Sequence, residues 1–313
     1  MHYQNLSHED LVDLLIERKM KFDDVERAAN KLKQISYYKI KEFALPLAKV
    51  TPQKDAPSLI DFRGIKFEEI ITRYYRDKNF RQFILHALED IEVALQAQIA
   101  YVLGQSNGDY GYLDFLKWSD TTNNSTRKIM SIENKIKKEL SYQIDKTESA
   151  ELKEKLQFGG NPDFPPIWLA TDHLMFGDLV KILEIMSSKR IKKISNFFKC
   201  SVDELRSWMK CLNLIRNISA HNSNLIDIRI KTSPKIRKEW EVWLYKEQEN
   251  LITNRISVPL IILIYLIKQI NPRYRFNYIK KSINTICKND NSTAKYYGFS
   301  NKTSVNEIFD KCR

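Results

Sequence analysis

Glycine and proline are scarce in this chain. Only 8 Gly and 9 Pro occur among 313 residues. A β-sandwich or β-barrel needs a turn about every 8 to 12 residues, and this sequence has too few Gly and Pro residues to form so many turns. The scarcity therefore favours long helices over many short strands.

Cysteine is also scarce, and its spacing excludes the usual cysteine frameworks. The four cysteines are Cys200, Cys211, Cys287 and Cys312, and no two of them form a C-x-x-C pair. A chain of this length does not need disulfide staples, and a zinc knuckle needs closely spaced ligands. We expect reduced thiols, and neither a structural metal nor a cofactor.

No run of apolar residues is long enough to cross a bilayer. The most apolar stretch covers residues 258–267, whereas a membrane span needs about 20 apolar residues. Pro259 suits the first turn of a helix, so this stretch predicts a buried core helix. The first ten residues also lack the basic start and apolar segment of a signal peptide. We therefore expect a cytoplasmic protein with no membrane partner.

Helical periodicity predicts an all-α protein. Ser7 is a candidate N-cap for a first helix, and residues 80, 84, 88, 91, 95, 99 and 102 are apolar at helical spacing. In chain order, further helices are predicted over 25–45, 67–103, 167–186, 189–198, 202–221 and 258–270.

The same pattern divides the chain into four regions. Residues 1–60 form an N-terminal helical region, and residues 61–103 with 166–270 form the core. Residues 104–165 are polar and charge-rich, which predicts an insertion with a helical hairpin near 128–156. Residues 271–313 form a basic C-terminal helical region.

Positive charge predominates and is unevenly distributed. The net charge is +12 with a pI of about 9.3, which favours an anionic partner. Residues 251–313 contain 11 Lys or Arg residues but three acidic ones, with aromatics interleaved. Such a surface suits single-stranded nucleic acid, although the aromatics could equally pack a helical cap. The candidate RNA-binding residues are Arg273, Arg275, Lys280 and Lys281, with Lys192 and Lys193 as a second basic patch.

The segment Arg216-Asn217-Ile218-Ser219-Ala220-His221 is the best candidate for chemistry. At ~100° per residue, Arg216 falls about 20° from Leu205, inside the apolar stripe of the predicted helix. An arginine there is costly unless a carboxylate or a phosphate meets it. Asn217 and His221 share another face. Cys211, Leu214 and Ile218 form a second apolar strip, which predicts an interface with a second protomer.

Arg81 and His86 have the same R-x₄-H spacing. On the helical count, His86 lies opposite the apolar stripe and Arg81 at its edge. No Asn follows Arg81. We therefore interpret this pair as a solvated helix face with one arginine at the edge of the core.

The sequence resembles the Abi-like abortive-infection proteins of bacteria, the AbiD/AbiF group, which are similar to HEPN-type ribonucleases with an R-x₄-H motif. The resemblance covers about residues 6–225. It depends on Ile35-Ser36-Tyr37-Tyr38-Lys39-Ile40, Ile91-Glu92-Val93-Ala94-Leu95, Pro166-Ile167-Trp168-Leu169 with Phe176-Gly177, and residues 208–221 ending in RNISAH. After His221 the chain reads Asn224-Leu225-Ile226-Asp227, which departs from the usual continuation of the family.

The resemblance implies a HEPN-like helical core and metal-independent cleavage of RNA at a homodimer interface, as a toxin in phage defence. Arg216, Asn217 and His221 match the catalytic motif of the family, and Glu92 matches the carboxylate that positions its arginine. The chemistry suits these residue types, since His can move a proton near neutral pH and Arg can hold phosphate oxygens. A small regulatory RNA that acts as antitoxin is a further implied partner.

Two other functions are compatible with the sequence. The first is a catalytically inert protein that binds RNA through the same basic surfaces. The second is a DNA-binding regulator, because residues 194–205 resemble a helix-turn-helix with Cys200-Ser201 in the turn.

Overall fold

Helices make up most of the chain in the computed structural model, which describes residues 6–54, 56–248 and 251–312. The all-α class predicted from the sequence is confirmed. The α-helices are α1 His8–Glu17, α2 Val25–Leu32, α3 Tyr37–Ala44, α4 Phe67–Asn107, α5 Phe115–Trp118, α6 Thr126–Lys146, α7 Ala150–Phe158, α8 Ile167–Ala170, α9 Phe176–Ile185, α10 Ser188–Phe197, α11 Val202–Ala220, α12 Ser257–Ile270, α13 Asn277–Cys287, α14 Asn291–Tyr296 and α15 Ser304–Lys311. Short 3₁₀ helices cover Leu45–Leu47, Gly111–Leu113, Thr171–His173 and Lys238–Trp243.

Strands are short and lie outside the core. The first antiparallel hairpin joins β1 Lys49–Thr51 to β2 Leu59–Asp61, with Val50 opposite Ile60. The second joins β3 Lys246–Gln248 to β4 Leu251–Ile252. Neither is large enough to form a layer of its own.

The N-terminal region forms a separate hydrophobic cluster around α1, α2, α3 and the first turns of α4. Ser7 caps α1, since its side chain accepts the N–H of Asp10, as the sequence predicts. The single helix predicted over 25–45 is wrong. Its stretch splits into α2 and α3, because the side chain of Ser36 accepts the N–H of Lys39 and starts a new helix there.

Helix α4 connects the two hydrophobic clusters. It has 41 residues and is therefore about 60 Å long. Phe67 and Ile70 in its first turns belong to the N-terminal cluster, whereas its buried residues from Phe80 to Leu103 belong to the main one. The predicted stripe along this helix is buried throughout, and α11, α12 and α13 all pack on it.

Residues 104–165, expected as a polar insertion, contribute to the main core. Helices α6 and α7 lie where the hairpin was expected. However, Phe115, Trp118, Ile129, Ile136 and Leu140 are all buried in the main cluster. Because these side chains are widely spaced among polar residues, the composition of the segment does not reveal that they are buried.

The helix predicted over 167–186 is wrong as a single element. The chain forms α8, then the 3₁₀ turn at Thr171–His173, and then α9. By contrast, α12 is buried from Ser257 to Ile267, as expected of a core helix. No helix within the described residues is long and apolar enough to span a bilayer.

The basic C-terminal region also packs into the main core. Helix α13 lies against α4, and α15 lies against α12 and α13. Phe276, Tyr297 and Phe299 are buried, whereas Tyr278 is 68% exposed and its ring stacks on Phe83. Most aromatics of this region therefore pack the core and leave few rings free at the surface.

Candidate functional site

Helix α11 carries the R-N-I-S-A-H segment and has well-defined ends. It begins at a capping box, in which Ser201 accepts the N–H of Glu204 and the Glu204 side chain accepts the N–H of Ser201. His221 is its C-cap, and Asn222 follows in the left-handed region at φ +57°. The N–H of Ser223 donates to the carbonyl of Ile218, which completes a Schellman-type end. These contacts fix where His221 leaves the helix.

The loop after His221 is held by α3. Lys39 donates from Nζ to the carbonyl of Asn222 at 2.9 Å. The N–H of Asn224 donates to Oε1 of Glu42 at 2.8 Å, and Lys39 and Glu42 pair with each other. Two charged side chains of the N-terminal region thus anchor the backbone beside His221.

A second charge pair on α4 holds the same loop from inside the core. Arg81 donates from Nε to Asp77 at 2.6 Å, and both side chains are completely buried. Arg81 also donates from Nη1 to Asn222 Oδ1 at 2.9 Å and to the carbonyl of Ser219 at 3.3 Å. The other oxygen of Asp77 accepts the two N–H groups that follow Asn224, at 2.9 Å each. We name Arg81 and Asp77 the buried clamp.

The expectation of a solvated face for Arg81 is therefore wrong. The helical count places Arg81 at the edge of the stripe of α4, but α11 and its following loop cover that edge. The residues at positions 224–227, which depart from the family pattern, are likewise held inside the protein. Leu225 and Ile226 are buried, and Asp227 accepts bonds from Arg73 and Tyr296.

Arg216 occupies a different environment. Its Nε lies 3.9 Å from Oε2 of Glu92 on α4, and the two side chains are 31% and 18% exposed. Arg216 was expected within the buried stripe, whereas the structure places its side chain at a surface groove. The stripe itself is as predicted, since Leu205, Trp208, Met209, Leu212, Ile215 and Ser219 are all buried.

Burial raises the pKa of Glu92 above its ordinary value. The nearby guanidinium of Arg216 and the N–H of Phe176 act in the opposite direction. Glu89 raises it further through repulsion between like charges. The carboxylate therefore carries a desolvation penalty that Arg216 offsets only in part.

Arg216 and Glu92 line a groove of about 630 Å³. His86, which was interpreted as part of a solvated face, lines the same groove and is exposed. Its Nδ1 is 3.0 Å from the hydroxyl of Tyr274 in the C-terminal region. The remaining lining residues are Gln82, Leu85, Leu88, Glu89, Val93 and Gln96. A cation, two carboxylates and an imidazole thus line one open space within a single chain.

His221 and Asn217 lie outside this lining. His221 is exposed at the end of α11, and Asn217 is partly buried one turn before it. The structure therefore brings Arg216 and Glu92 together in the groove, whereas His221 lies at the end of the same helix, outside the groove lining. Sequence reasoning did not identify His86 as a groove residue, because only the fold brings its face of α4 next to Arg216.

The second apolar strip of α11 is largely covered within the same chain. Cys211 is fully buried, and Leu214 and Ile218 are partly buried against the main core. The expectation that this strip is left uncovered for a partner protomer is wrong, because the main core of the same chain covers most of it. All four cysteines are free and buried, and burial raises the pKa of each thiol to about 12.

The expected RNA-binding residues divide between two surfaces. Arg273, Arg275 and Lys281 are exposed near α13, whereas Lys280 is partly buried and lies 3.2 Å from Asp310. Lys192 and Lys193 are exposed on α10. Tyr274, between the first two arginines, reaches the groove through His86.

The helix-turn-helix segment consists of α10 and the start of α11. Trp208, which lies where a recognition helix would pack, is fully buried. The exposed first turn of α11 is acidic, and Glu204 is paired with Arg237 at 2.7 Å. An acidic first turn does not suit an approach to phosphates. Within the described residues, no three His, Cys, Asp or Glu side chains are grouped so that they could hold a metal ion.

The sequence profile of the Abi-like proteins matches residues 30–227, which is more than half of the chain. The match includes α3, α4, the groove and the loop that follows His221. No curated protein and no solved structure matches the chain. The chain therefore belongs to the Abi-like protein family, whose membership indicates a role in abortive infection as a defence against phage.

Proposed function

We propose that the protein is a metal-independent endoribonuclease of abortive infection, and that Arg216 binds the scissile phosphate. The observation that carries the proposal is the partly exposed Arg216 side chain, held beside Glu92 at an open groove. Among the described residues, its one carboxylate contact is as long as 3.9 Å, which keeps donors free for two phosphate oxygens. Glu92 orients it from the α4 side.

His221 serves as the proton-transfer group. The 2′-hydroxyl of the substrate attacks the adjacent phosphorus, and its proton leaves to a base. The bond to the 5′-oxygen breaks, and that oxygen takes a proton from an acid. The products are a 2′,3′-cyclic phosphate and a 5′-hydroxyl. Asn217, one turn before His221, orients either the imidazole or the phosphate.

Two proton transfers require two titrating groups. A homodimer with facing α11 helices would supply two His221 side chains. Alternatively, His86 of the same groove supplies the second imidazole within one chain, since the hydroxyl of Tyr274 holds its Nδ1. The two arrangements differ in whether His86→Ala impairs cleavage.

The first test is incubation of the purified protein with labelled RNA in EDTA. We expect cleavage by the wild type and loss of cleavage in His221→Ala, with a cyclic phosphate end. A substrate with 2′-deoxyribose at the scissile position should survive, because the attacking hydroxyl is missing. Equal cleavage of DNA would contradict the mechanism.

Mixing two inactive variants tests the dimer. When His221→Ala is mixed with Arg216→Ala, one composite site regains both native residues if each site draws Arg and His from different chains. Recovery of activity is the expected result if each dimeric site needs one Arg216 and one His221 from different chains. A mixed dimer that stays inactive is expected if each site needs both His221 side chains, because the mixed dimer holds one His221. Sedimentation as a monomer at active concentrations, together with loss of activity in His86→Ala, would favour the single-chain arrangement instead.

An inert RNA-binding protein is the second candidate. It is favoured by the position of His221 outside the lining of the groove. Under that function the wild type would bind the labelled RNA in EDTA and leave it intact. The family role also allows a small regulatory RNA as a bound partner, and the exposed Arg273 and Arg275 beside Tyr274 provide a surface for its phosphates.

A further inference from the structure

A second groove lies at the C-terminal end of α4 and has two exposed aromatic walls. Tyr101 on α4 is 61% exposed and Trp168 on α8 is 48% exposed. Both line a space of about 570 Å³. Its floor on α4 is made of Ala97, Ala100 and Gly104, whose small side chains keep the space between the rings open.

This groove and the first one lie on a single stripe of α4. The stripe residues are three or four apart, so they share one helix face: Gln82, His86, Glu89 and Val93 from the first groove, and then Ala97, Ala100 and Gly104 from the second. From Val93 to Gly104 the rise is about 16 Å, which matches about five nucleotides at the stacked spacing of about 3.4 Å. A strand that enters the first groove can therefore reach the second.

Cations flank the second groove. Helix α10 presents Lys189, Arg190, Lys192 and Lys193, and none of them has a carboxylate within ion-pair distance in the described part of the chain. Lys193 donates to Gln105, a lining residue, at 3.1 Å. Arg190 donates to Ser187 and Asn107. Cations whose charge is not neutralised by a carboxylate of the protein are available to phosphates at the rim.

The ionised residues inside the groove have the opposite sign. Asp109 and Asp172 line it, so a phosphate would be repelled there. Carboxylates instead accept hydrogen bonds from the amino groups of bases. The arrangement therefore separates the two parts of a nucleotide, with bases inside and phosphates along α10.

We infer that this groove is a stacking site for unpaired bases of RNA, with Trp168 and Tyr101 as the platform. The inference rests on the proposed function in taking RNA as the ligand. Single-stranded recognition combines this kind of aromatic stacking with a basic track for the backbone. The stacking site would hold the strand while the first groove presents one phosphate to Arg216.

The tryptophans allow a direct measurement. The other four tryptophans are nearly or fully buried, at 7% for Trp243 and 0% for Trp118, Trp208 and Trp240. The probe is an octamer of 2′-O-methyladenosine, which cannot be cut by 2′-hydroxyl attack. Titration should quench the part of the emission that is lost in Trp168→Phe. Binding is thereby measured apart from cleavage.

Affinities of the variants are compared by the fluorescence anisotropy of a dye-labelled octamer, because the Trp168 variants lack the reporter ring. The expected effect of Trp168→Ala or Tyr101→Ala is roughly 10-fold weaker binding of the octamer, since stacking contributes about 1–3 kcal/mol per base. Trp168→Phe should bind within about threefold of the wild type, because a ring remains. Tyr142→Ala is the matched control, an exposed aromatic of α6 outside both grooves that should leave affinity unchanged.

Three results would overturn the inference. The first is unchanged affinity in Trp168→Ala, and the second is an equal loss in Tyr142→Ala. The third is conversion of a dimer to a monomer by Trp168→Ala with normal binding, which would make the groove an interface between two copies. Quenching without any cleavage of natural RNA would refute the ribonuclease but leave the stacking site in place.

Discussion

Two arginines with the same R-x₄-H spacing have opposite environments in this protein. Arg81 and its partner Asp77 are completely buried, whereas Arg216 and its partner Glu92 are 31% and 18% exposed. The buried pair is 2.6 Å apart and bonds further to the backbone, while the other pair is 3.9 Å apart and borders a groove. Spacing alone does not distinguish them.

The different environments of the two arginines indicate different roles, since Arg81 positions other parts of the protein and Arg216 is open to a ligand. Nη1 of Arg81 and Oδ1 of Asp77 bond to the C-terminal end of α11 and the loop after it, so the two charges of the buried clamp hold parts of the protein itself. Within the part of the chain that the structure describes, the Arg216 guanidinium has no such set of internal partners and is open to an anion. One arginine therefore fixes where His221 lies, and the other is available to a substrate.

The largest expected effect follows from breaking the buried clamp. Arg81→Met removes one partner and leaves the Asp77 carboxylate buried without its countercharge. Such a change costs about 3–5 kcal/mol of folding free energy. Urea unfolding followed by circular dichroism measures it. Arg216→Met is the matched control, which should stay within about 1 kcal/mol of the wild type because its pair is partly solvated. Equal losses in the two variants would contradict the distinction.

A smaller effect is expected at the residue that joins the clamp to His221. Asn222 has φ +57°, a conformation that costs an alanine about 1–2 kcal/mol. Asn222→Ala should therefore lose about that much stability, and cleavage should fall because the adjacent His221 shifts. Asn222→Gly keeps the conformation and removes only the bond from Arg81. Identical behaviour of the two variants would show that the helix end does not depend on this conformation.

The sequence predicts the long helices better than the contacts between them. A span free of Gly and Pro with an apolar stripe is enough to place α4, and α11 and α12 follow from the same pattern. The break at Ser36 is missed because a capping serine within an otherwise helical stretch also reads as a surface residue. The burial of Arg81 is missed for a different reason. A helical count describes one helix, whereas the cover over Arg81 comes from a loop about 140 residues later.

In the candidate site as well, the sequence predicts features of a single helix better than contacts between helices. Pairing of Arg216 with a carboxylate is predictable from its place on an apolar face, and Glu92 is the residue found beside it. The contribution of Lys39 and Glu42 to the loop after His221 is not predictable, because their spacing is common on helix surfaces. His86 is missed likewise, since only the packing of α4 against α11 brings it to the groove of Arg216.

The smallest expected effect concerns Glu92. Its pKa is raised in the folded protein, so the folded state binds this proton more tightly than the unfolded chain does. The contribution of Glu92 to stability is thus present below the unfolded pKa of about 4.3 and is lost as the pH rises through the folded value. Glu92→Gln should therefore melt at a higher temperature than the wild type, and this difference should be larger at pH 7 than at pH 4.

The rate of RNA cleavage should fall in Glu92→Gln, because a neutral Gln no longer attracts the guanidinium of Arg216. Thermal melts at the two pH values and cleavage assays at pH 7 check the pair of outcomes. A Glu92→Gln protein that is less stable than the wild type at pH 7 would show that the pair is a structural one like the buried clamp.

The most direct measurement of the central claim is the rate of RNA cleavage in EDTA by Arg216→Lys beside the wild type, at equal folded concentration. Lysine keeps the charge but cannot form the two-pronged bond to phosphate oxygens. We predict an unchanged melting temperature and a cleavage rate lower by a factor of about 100, the size of effect seen when one donor to a developing anion is lost. Full activity in Arg216→Lys would contradict the account of Arg216 as the phosphate-binding residue.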